Sequence, residues 1–309
     1  MDNMLRTSTS PHIHCGRTTR NIMLDVVIAL APATIAGCVI FGWKALLVIA
    51  SCVIGCVGFE FLYNLLAKKE QTINDFSAIV TGLLLALNLP ATIPVWQCFV
   101  GSLFAIVVVK CLFGGLGKNL VNPAITARVF MIIAFGSMAK QSYPVIVDTA
   151  ASSTPLSQIA NGDTPNITDL LLGLHGGSIG ETCAVALLVG FVYLLVRKVI
   201  SWHLPVTLVG TVFVLSLFME KFNFYNALVL VLSGGLLLGA IFMATDYVTS
   251  PATSWGKVIF GVMAGLVTFL IRYFGTYPEG VSFAILLMNI VTPYIDAWTS
   301  HKIFGGAKK

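Results

Sequence analysis

Residues 45–67 read ALLVIASCVIGCVGFEFLYNLLA. Twenty-three residues pass with one charged side chain, Glu60, and no proline. As a helix rising about 1.5 Å per residue, the stretch is roughly 35 Å long, enough to cross a hydrocarbon layer about 30 Å thick. A surface helix of a soluble protein would carry a charged stripe at helical spacing, and this one carries none. The same texture recurs on both sides. Apolar runs and their breakers predict ten spans, at about 22–42, 45–67, 76–89, 94–112, 123–138, 181–200, 204–219, 225–244, 258–274 and 280–298. Composition agrees: 57% of the 309 residues are hydrophobic, 10% are charged, and mean hydropathy is +0.91. A soluble domain needs about 25% charged residues to cover its surface, so most of this surface must face lipid. The expected fold is therefore an all-α polytopic membrane protein of about ten transmembrane helices, with no room for a second, soluble domain.

Orientation follows from the basic residues. With the N-terminus cytoplasmic, only Lys44, Lys140, Lys221 and Arg272 of the 18 Lys and Arg fall outside, so both termini are expected inside. The expected organisation is a cytoplasmic tail (1–21), a first five-helix half (22–138), an extracytoplasmic loop (139–180), a second five-helix half (181–299) and a cytoplasmic tail (300–309). The net charge of +5 is scattered through short loops, which gives no nucleic-acid face. The polar start of the chain and the long first apolar run argue against a cleavable signal peptide. None of the seven cysteines forms a CxxC pair, so no iron–sulfur or zinc spacing is present. His12, His14 and Cys15 have no fourth ligand in view, and no metal site is expected.

Two sequence echoes lie five spans apart. Residues 81–86 (TGLLLA) resemble 234–239 (GGLLLG), and 119–125 (NLVNPAI) resemble 289–295 (NIVTPYI). Five is odd, so the halves would run in opposite directions as a 5+5 inverted repeat. Such repeats place sites near interrupted helices on the pseudo-twofold axis. Chance is the alternative, because Gly-Leu strings are common in membrane helices.

The loop at 139–180 is far longer than the others, as functional or disordered loops are. It contains Asp148 and then AASSTPL over 150–156. Pro155 biases Thr154 toward extended backbone. The Thr154 hydroxyl is thereby open to a modifying enzyme, and small neighbours leave room for a bulky group. Ser152 and Ser153 are competing acceptors. Read by composition alone, such a run is a solvated loop. The Gly-rich run 113–119 (FGGLGKN) leads through Asn122-Pro123 into the fifth span, where backbone N–H groups at a helix start favour anions or carbonyls. Lys118, Asn119 and Asn122 are the candidates there, against a plain inter-helix turn. Gly176, Gly177 and Glu181 open the sixth span on the same side as Thr154, with Glu181 read as an acid at a helix start. Of the acids at membrane depth, Glu60 and Asp246 are the candidates for an ion path. The alternative is structural pairing with Lys110, Arg128 or backbone.

These strings resemble the D subunits of Rnf-type ion-translocating electron-transfer complexes and the B subunits of sodium-pumping NADH:quinone reductases. The resemblance covers nearly the whole chain, from Ser10-Pro11-His12 through DFSAIVTGLLLALNLP (75–90), FGGLGKN (113–119) and FMATDYVTSP (242–251) to YPEGVSFAILLMN (277–289). The reductase subunits have a longer N-terminal extension, so the Rnf D branch fits better. In these families a loop of the form Asp-x-x-Ser/Thr-Gly-Ala-Thr carries FMN, esterified through its phosphate to the threonine. Thr154 matches the acceptor, Asp148 the leading acid, and Pro155-Leu156 the Rnf-type continuation. Ala151, Ser152 and Ser153 depart from Ser/Thr, Gly and Ala, each a small residue for a small one.

The resemblance implies a subunit in a prokaryotic cell membrane that relays electrons through covalent FMN. Reduced ferredoxin is oxidised and NAD reduced by the complex, coupled to Na⁺ or H⁺ translocation. It leaves open a second, non-covalent flavin (riboflavin or FMN) nearer the inner side. The implied partners are other membrane and peripheral Rnf subunits, a flavin transferase during maturation, and lipid. No GxGxxG follows a strand, so the NAD chemistry would belong to other subunits. The rival reading is an inverted-repeat solute channel or secondary transporter without a redox cofactor.

Overall fold

The computed structural model describes residues 17–136, 142–145, 155–160, 165–275 and 280–300. Among these residues the chain is helical apart from turns and one isolated bridge between Ser142 and Gly177. The first half holds α1 (Thr19–Phe41), α2 (Trp43–Leu66) and α3 (Ser77–Leu87). It continues with α4 (Val95–Leu103), which runs on as a π-helix over Phe104–Cys111, and with α5 (Pro123–Ala134). Two short helices follow, α6 (Pro155–Ala160) and α7 (Ile167–Leu172). The second half holds α8 (Ala184–Val196), α9 (His203–Met219) and α10 (Phe224–Leu232). Then come α11 (Leu236–Leu238), with a π-helix over Gly239–Met243, α12 (Ser254–Phe274) and α13 (Val281–Thr299).

Every predicted apolar run is helical, but the runs differ in length more than the sequence suggested. α1, α2, α12 and α13 are long and apolar enough to cross a membrane, and a fifth crossing results if the bent pair Phe224–Leu232 and Leu236–Met243 counts as one. The remaining five, Ser77–Leu87, Val95–Cys111, Pro123–Ala134, Ala184–Val196 and His203–Met219, are shorter. The run 225–244 is not one helix. It bends by 64° at Ser233–Gly235, where Gly234 has φ 65°, a conformation that suits glycine. The run 123–138 stops as helix at Ala134, where Phe135 is already extended, and the run 181–200 begins as helix only at Ala184. The segment between α7 and α8 is not a loop over the surface, because it folds into the end of the bundle. The echoed motifs do not share local structure either: Gly82 sits inside α3 and Gly234 at the bend, while Pro123 starts α5 and Pro293 lies inside α13.

The helices pack through small residues. A Cβ on Gly82 would lie 2.9 Å from Val53 Cα, so α3 rests directly on the α2 backbone. Gly261 and Gly265 do the same for α12 on α9, where a Cβ on Gly265 would lie 2.8 Å from the Leu208 carbonyl. Hydrophobicity cannot drive helices together in lipid, and close backbone approach over small residues replaces it. Hydroxyls inside the bundle close on carbonyls one turn back, as Thr34 does on Leu30 (2.9 Å) and Thr268 on Ala264 (2.7 Å). Large apolar side chains point outward instead, among them Ile54, Leu66, Phe274 and Trp298.

Candidate functional site

Among the described residues, three polar groupings bear on the candidate positions. The first is a cleft at the end of the bundle that carries the 67–76, 112–122 and 244–253 turns. It is a narrow, partly open cleft with about 80 Å³ of internal space. Its walls are apolar, with Val26, Leu84, Leu194, Val199, Ile200 and Phe242 among them, and one edge is polar: Asn119, Asn122, Thr245 and Asp246. The sequence builds that edge locally. Asn122 caps α5, its side-chain oxygen accepting from the Ala124 and Ile125 N–H groups at 3.0 and 3.4 Å, and Pro123 fills the first helical position, where no N–H is needed. Its amide nitrogen donates to the Met243 carbonyl at 3.2 Å, tying α5 to the π-helix after α11. Asp246 accepts from Thr249 at 3.2 Å, and burial pushes its carboxyl up against hydrogen bonds from Val248, Thr249 and Tyr247 that lower it. Apolar faces with an amide and carboxylate rim suit a flat heteroaromatic group with polar edge atoms. Lys118, the other candidate in this stretch, is exposed and does not line the cleft.

The second grouping lies beside the cleft. Lys110, on the π-helix, donates to Glu60 at 2.7 Å and to Ser77 at 2.7 Å, with all three buried. The Ser77 hydroxyl donates to Asp75, while Glu60 accepts from Thr72 at 2.5 Å and Thr72 from Asn64 at 3.1 Å. Glu60 is therefore ion-paired rather than alone. Lys110 and Ser77 also line the cleft, so the network reaches its wall. π-helical turns of this kind recur at functional sites.

The third grouping occupies the centre and the opposite end. The segment 173–183 lies across the open end of α3. Gly180 N–H donates to the Leu87 carbonyl at 2.8 Å and Ile179 N–H to the Leu89 carbonyl at 3.1 Å, satisfying carbonyls that a helix end leaves open. Asn88 donates to Leu84 at 2.6 Å and accepts from Arg128. Arg128 also pairs with Glu181 at 2.9 Å, both buried. Glu181, expected as an acid at a helix start, lies three residues before α8 and is the buried counter-ion of Arg128. A Cβ on Gly235 would lie 2.6 Å from its Oε1, so the bend between α10 and α11 opens onto this pair. Arg272 closes the same bend by donating to the carbonyls of Leu230 (2.6 Å) and Ser233 (3.1 Å).

Gly176 and Gly177 sit at the outer edge of this segment. Gly177 N–H donates to the Ser142 carbonyl at 3.0 Å, and Gly176 lies against the Tyr143 ring. Around Gly177, three sealed polar atoms have no hydrogen-bond partner: Ser142 Oγ, His175 Nε2 and Thr182 Oγ1. Each such atom costs roughly 1–3 kcal/mol. Sequence reasoning missed these three and Asn88; a lone histidine beside a Gly-Gly pair was the available signal. Asp148, Ser152, Ser153 and Thr154 lie outside the described residues. No group of three or more His, Cys, Asp or Glu placed to hold a metal occurs among the described residues.

The family model described as "NQR2, RnfD, RnfE family" matches residues 6–305. The chain is 44% identical to the D subunit of the Na(+)-translocating ferredoxin:NAD(+) oxidoreductase complex of Acetobacterium woodii, over 98% of this chain and 96% of that one. It is 38% identical to the D subunit of the proton-translocating ferredoxin:NAD(+) oxidoreductase complex of Clostridium ljungdahlii, over 98% and 97%. It is 34% identical to the D subunit of the ion-translocating oxidoreductase complex of Salmonella enteritidis, over 99% of each.

Proposed function

The chain belongs to the NQR2, RnfD, RnfE family, and on that premise we propose that it is the membrane subunit of an ion-translocating ferredoxin:NAD⁺ oxidoreductase complex. The observation that carries this is end-to-end similarity to relatives named as D subunits of such complexes. It acts with other subunits and is not catalytic on its own. Its place is the cell membrane, crossed about ten times with both termini inside, and the cleft then faces the cytoplasm. The 5+5 repeat is supported by packing rather than by motifs: α1 packs on α8 and α5 on α13, each five spans apart. Likewise α2 packs on α3 and α4, and its counterpart α9 on α10 and α12.

In this reading Thr154 carries FMN, its hydroxyl oxygen becoming the bridge to the phosphate, with Asp148, Ser152 and Ser153 alongside. The ester keeps the cofactor from diffusing away on the extracytoplasmic side, and a separate flavin transferase installs it. A bound flavin supplies the ability to accept and release electrons, which no side chain here has. The chain's own residues supply position. Asn119, Asn122 and Asp246 would hold the polar edge of a second, non-covalent flavin in the cleft, and Val26, Leu84 and Phe242 would cover its faces. Lys110, held by Glu60 and Ser77, keeps a positive charge at that wall. Glu60 and Asp246 are the proposed points of contact with the translocated ion.

The test is flavin fluorescence in a denaturing gel of protein made with the transferase. Wild-type protein should fluoresce and Thr154→Ala should not, whereas a dark wild-type band would favour the channel or transporter reading.

A further inference from the structure

Arg128 and Glu181 stand just beyond the deep end of the cleft. Leu84 is the deepest cleft-lining residue of α3, Ala124 that of α5, and Phe242 that of the π-helix after α11. Four residues further along α3 and α5, about 6 Å at helical rise, come Asn88 and Arg128. Asn88 bridges the elements: its amide nitrogen reaches the Leu84 carbonyl at 2.6 Å and the Met243 sulfur at 3.4 Å, and its oxygen accepts from Arg128. Arg128 then meets Glu181 at 2.9 Å, with Asn88, Arg128 and Glu181 all buried. Glu181 belongs to the segment that folds in from the opposite end. The pair therefore separates the cleft from that segment. It also sits against both interrupted helices. α3 stops at Asn88-Leu89-Pro90, and at the 233–235 bend a Cβ on Gly235 would lie 2.6 Å from Glu181 Oε1 and 3.2 Å from Arg128 Nη1.

Packing alone does not call for charge here, because apolar side chains of similar volume fill such a space as stably as a buried ion pair. Ionisable groups at membrane depth mark ion paths, and interrupted helices gather them where the two halves of a chain meet. Arg128 comes from the first half and Glu181 from the second. A fixed guanidinium on a path repels cations. Glu181 can offer its carboxylate to a cation only when Arg128 leaves it. Resting on the reading that the translocated ion is met at Glu60 and Asp246, we propose that the Arg128–Glu181 pair is the closed barrier of the ion path between the cleft and the outer face. Arg128 stops cations from leaking through, and Glu181 receives the ion when the pair parts.

The test uses the assembled complex in liposomes, with radioactive sodium and an internal pH dye reporting the two ions. Passive leak is read without electron donor. The number of ions moved per electron is read with reduced ferredoxin and NAD⁺. Arg128→Gln keeps an amide donor beside Asn88 and Glu181 but loses the charge. It should raise the passive leak roughly tenfold or more and lower the ions moved per electron. Arg128→Lys, which restores the charge, should bring both back toward wild type. A second variant guards against simple misfolding: Arg128→Met with Glu181→Met fills the same space without charge. Its leak should stay at the wild-type level while the ions moved per electron fall toward zero. A pair that merely staples the helices would leave that ratio unchanged. Wild-type leak and ratio in Arg128→Gln, or a wild-type ratio in the double variant, would overturn the barrier. A wild-type complex that passes electrons without moving either ion would instead overturn the functional reading.

Discussion

Arg128 and Glu181 illustrate what a buried charge requires. Both are sealed inside the bundle and 2.9 Å apart, and Asn88 takes a further donor of the guanidinium. Removing one partner leaves the other charged in an apolar medium, at a cost of about 3–5 kcal/mol. Glu181→Ala should therefore lower the melting temperature of the detergent-solubilised protein sharply, and Arg128→Met with Glu181→Met should recover most of the loss. His175 allows a prediction with a sign. Burial pushes its pKa down, opposed by the Gly176 and Thr182 backbone and by Asp169 on α7. The unfolded chain then takes up the proton first, so this histidine's contribution to stability is complete above about pH 6.5 and is lost as pH falls below it. Limited proteolysis of the segment around 165–183 should speed up between about pH 7.5 and about pH 5, and His175→Gln should flatten that response. The sequence made Glu60 and Asn122 legible, the first because a lone acid in an apolar run needs a partner, the second because Asn-Pro is a helix start. It gave no hint that Glu181 belongs to Arg128, because 53 residues separate them and only the fold brings them together.

Helix starts and stops decide where polar groups can exist in this body. α3 ends at Asn88-Leu89-Pro90, and its open carbonyls are met by Ile179 and Gly180 from the other half of the chain. α10 ends at Leu232, and the carbonyls of Leu230 and Ser233 are met by Arg272 of α12. Interrupted backbone is tolerated at this depth because protein, not lipid, surrounds it. Gly235→Ala should be destabilising for that reason, since the added methyl meets Glu181 and Arg128 rather than lipid, and overpacking of this kind costs about 1–3 kcal/mol. Thermal unfolding of the variant beside Gly210→Ala, which has open space at its Cα, isolates the effect. Hydrophobic runs were readable as helices because their composition leaves no other stable form in lipid. The bend at 233–235 was not, because Ser-Gly-Gly inside an apolar run fits either a straight helix packed closely or a broken one, and the choice is made by Arg272 and the Arg128–Glu181 pair.

At the scale of the molecule, two bundles of helices meet around a cleft at one end and a folded-in segment at the other. If the termini lie inside, a cysteine-directed impermeant reagent applied to intact cells should label a cysteine placed at Thr164 and not one placed at Lys118. The opposite pattern would invert the whole assignment. The two ends serve different purposes in the proposed relay, a tethered flavin outside and a held one inside, and the tether is the claim on which the rest depends. It is tested most directly by mass spectrometry of the tryptic peptide 141–197 from protein made with its flavin transferase. The account predicts a peptide heavier by one flavin mononucleotide less one water, with fragmentation placing the addition on Thr154. An unmodified peptide, or an addition on Ser152 or Ser153, would contradict it.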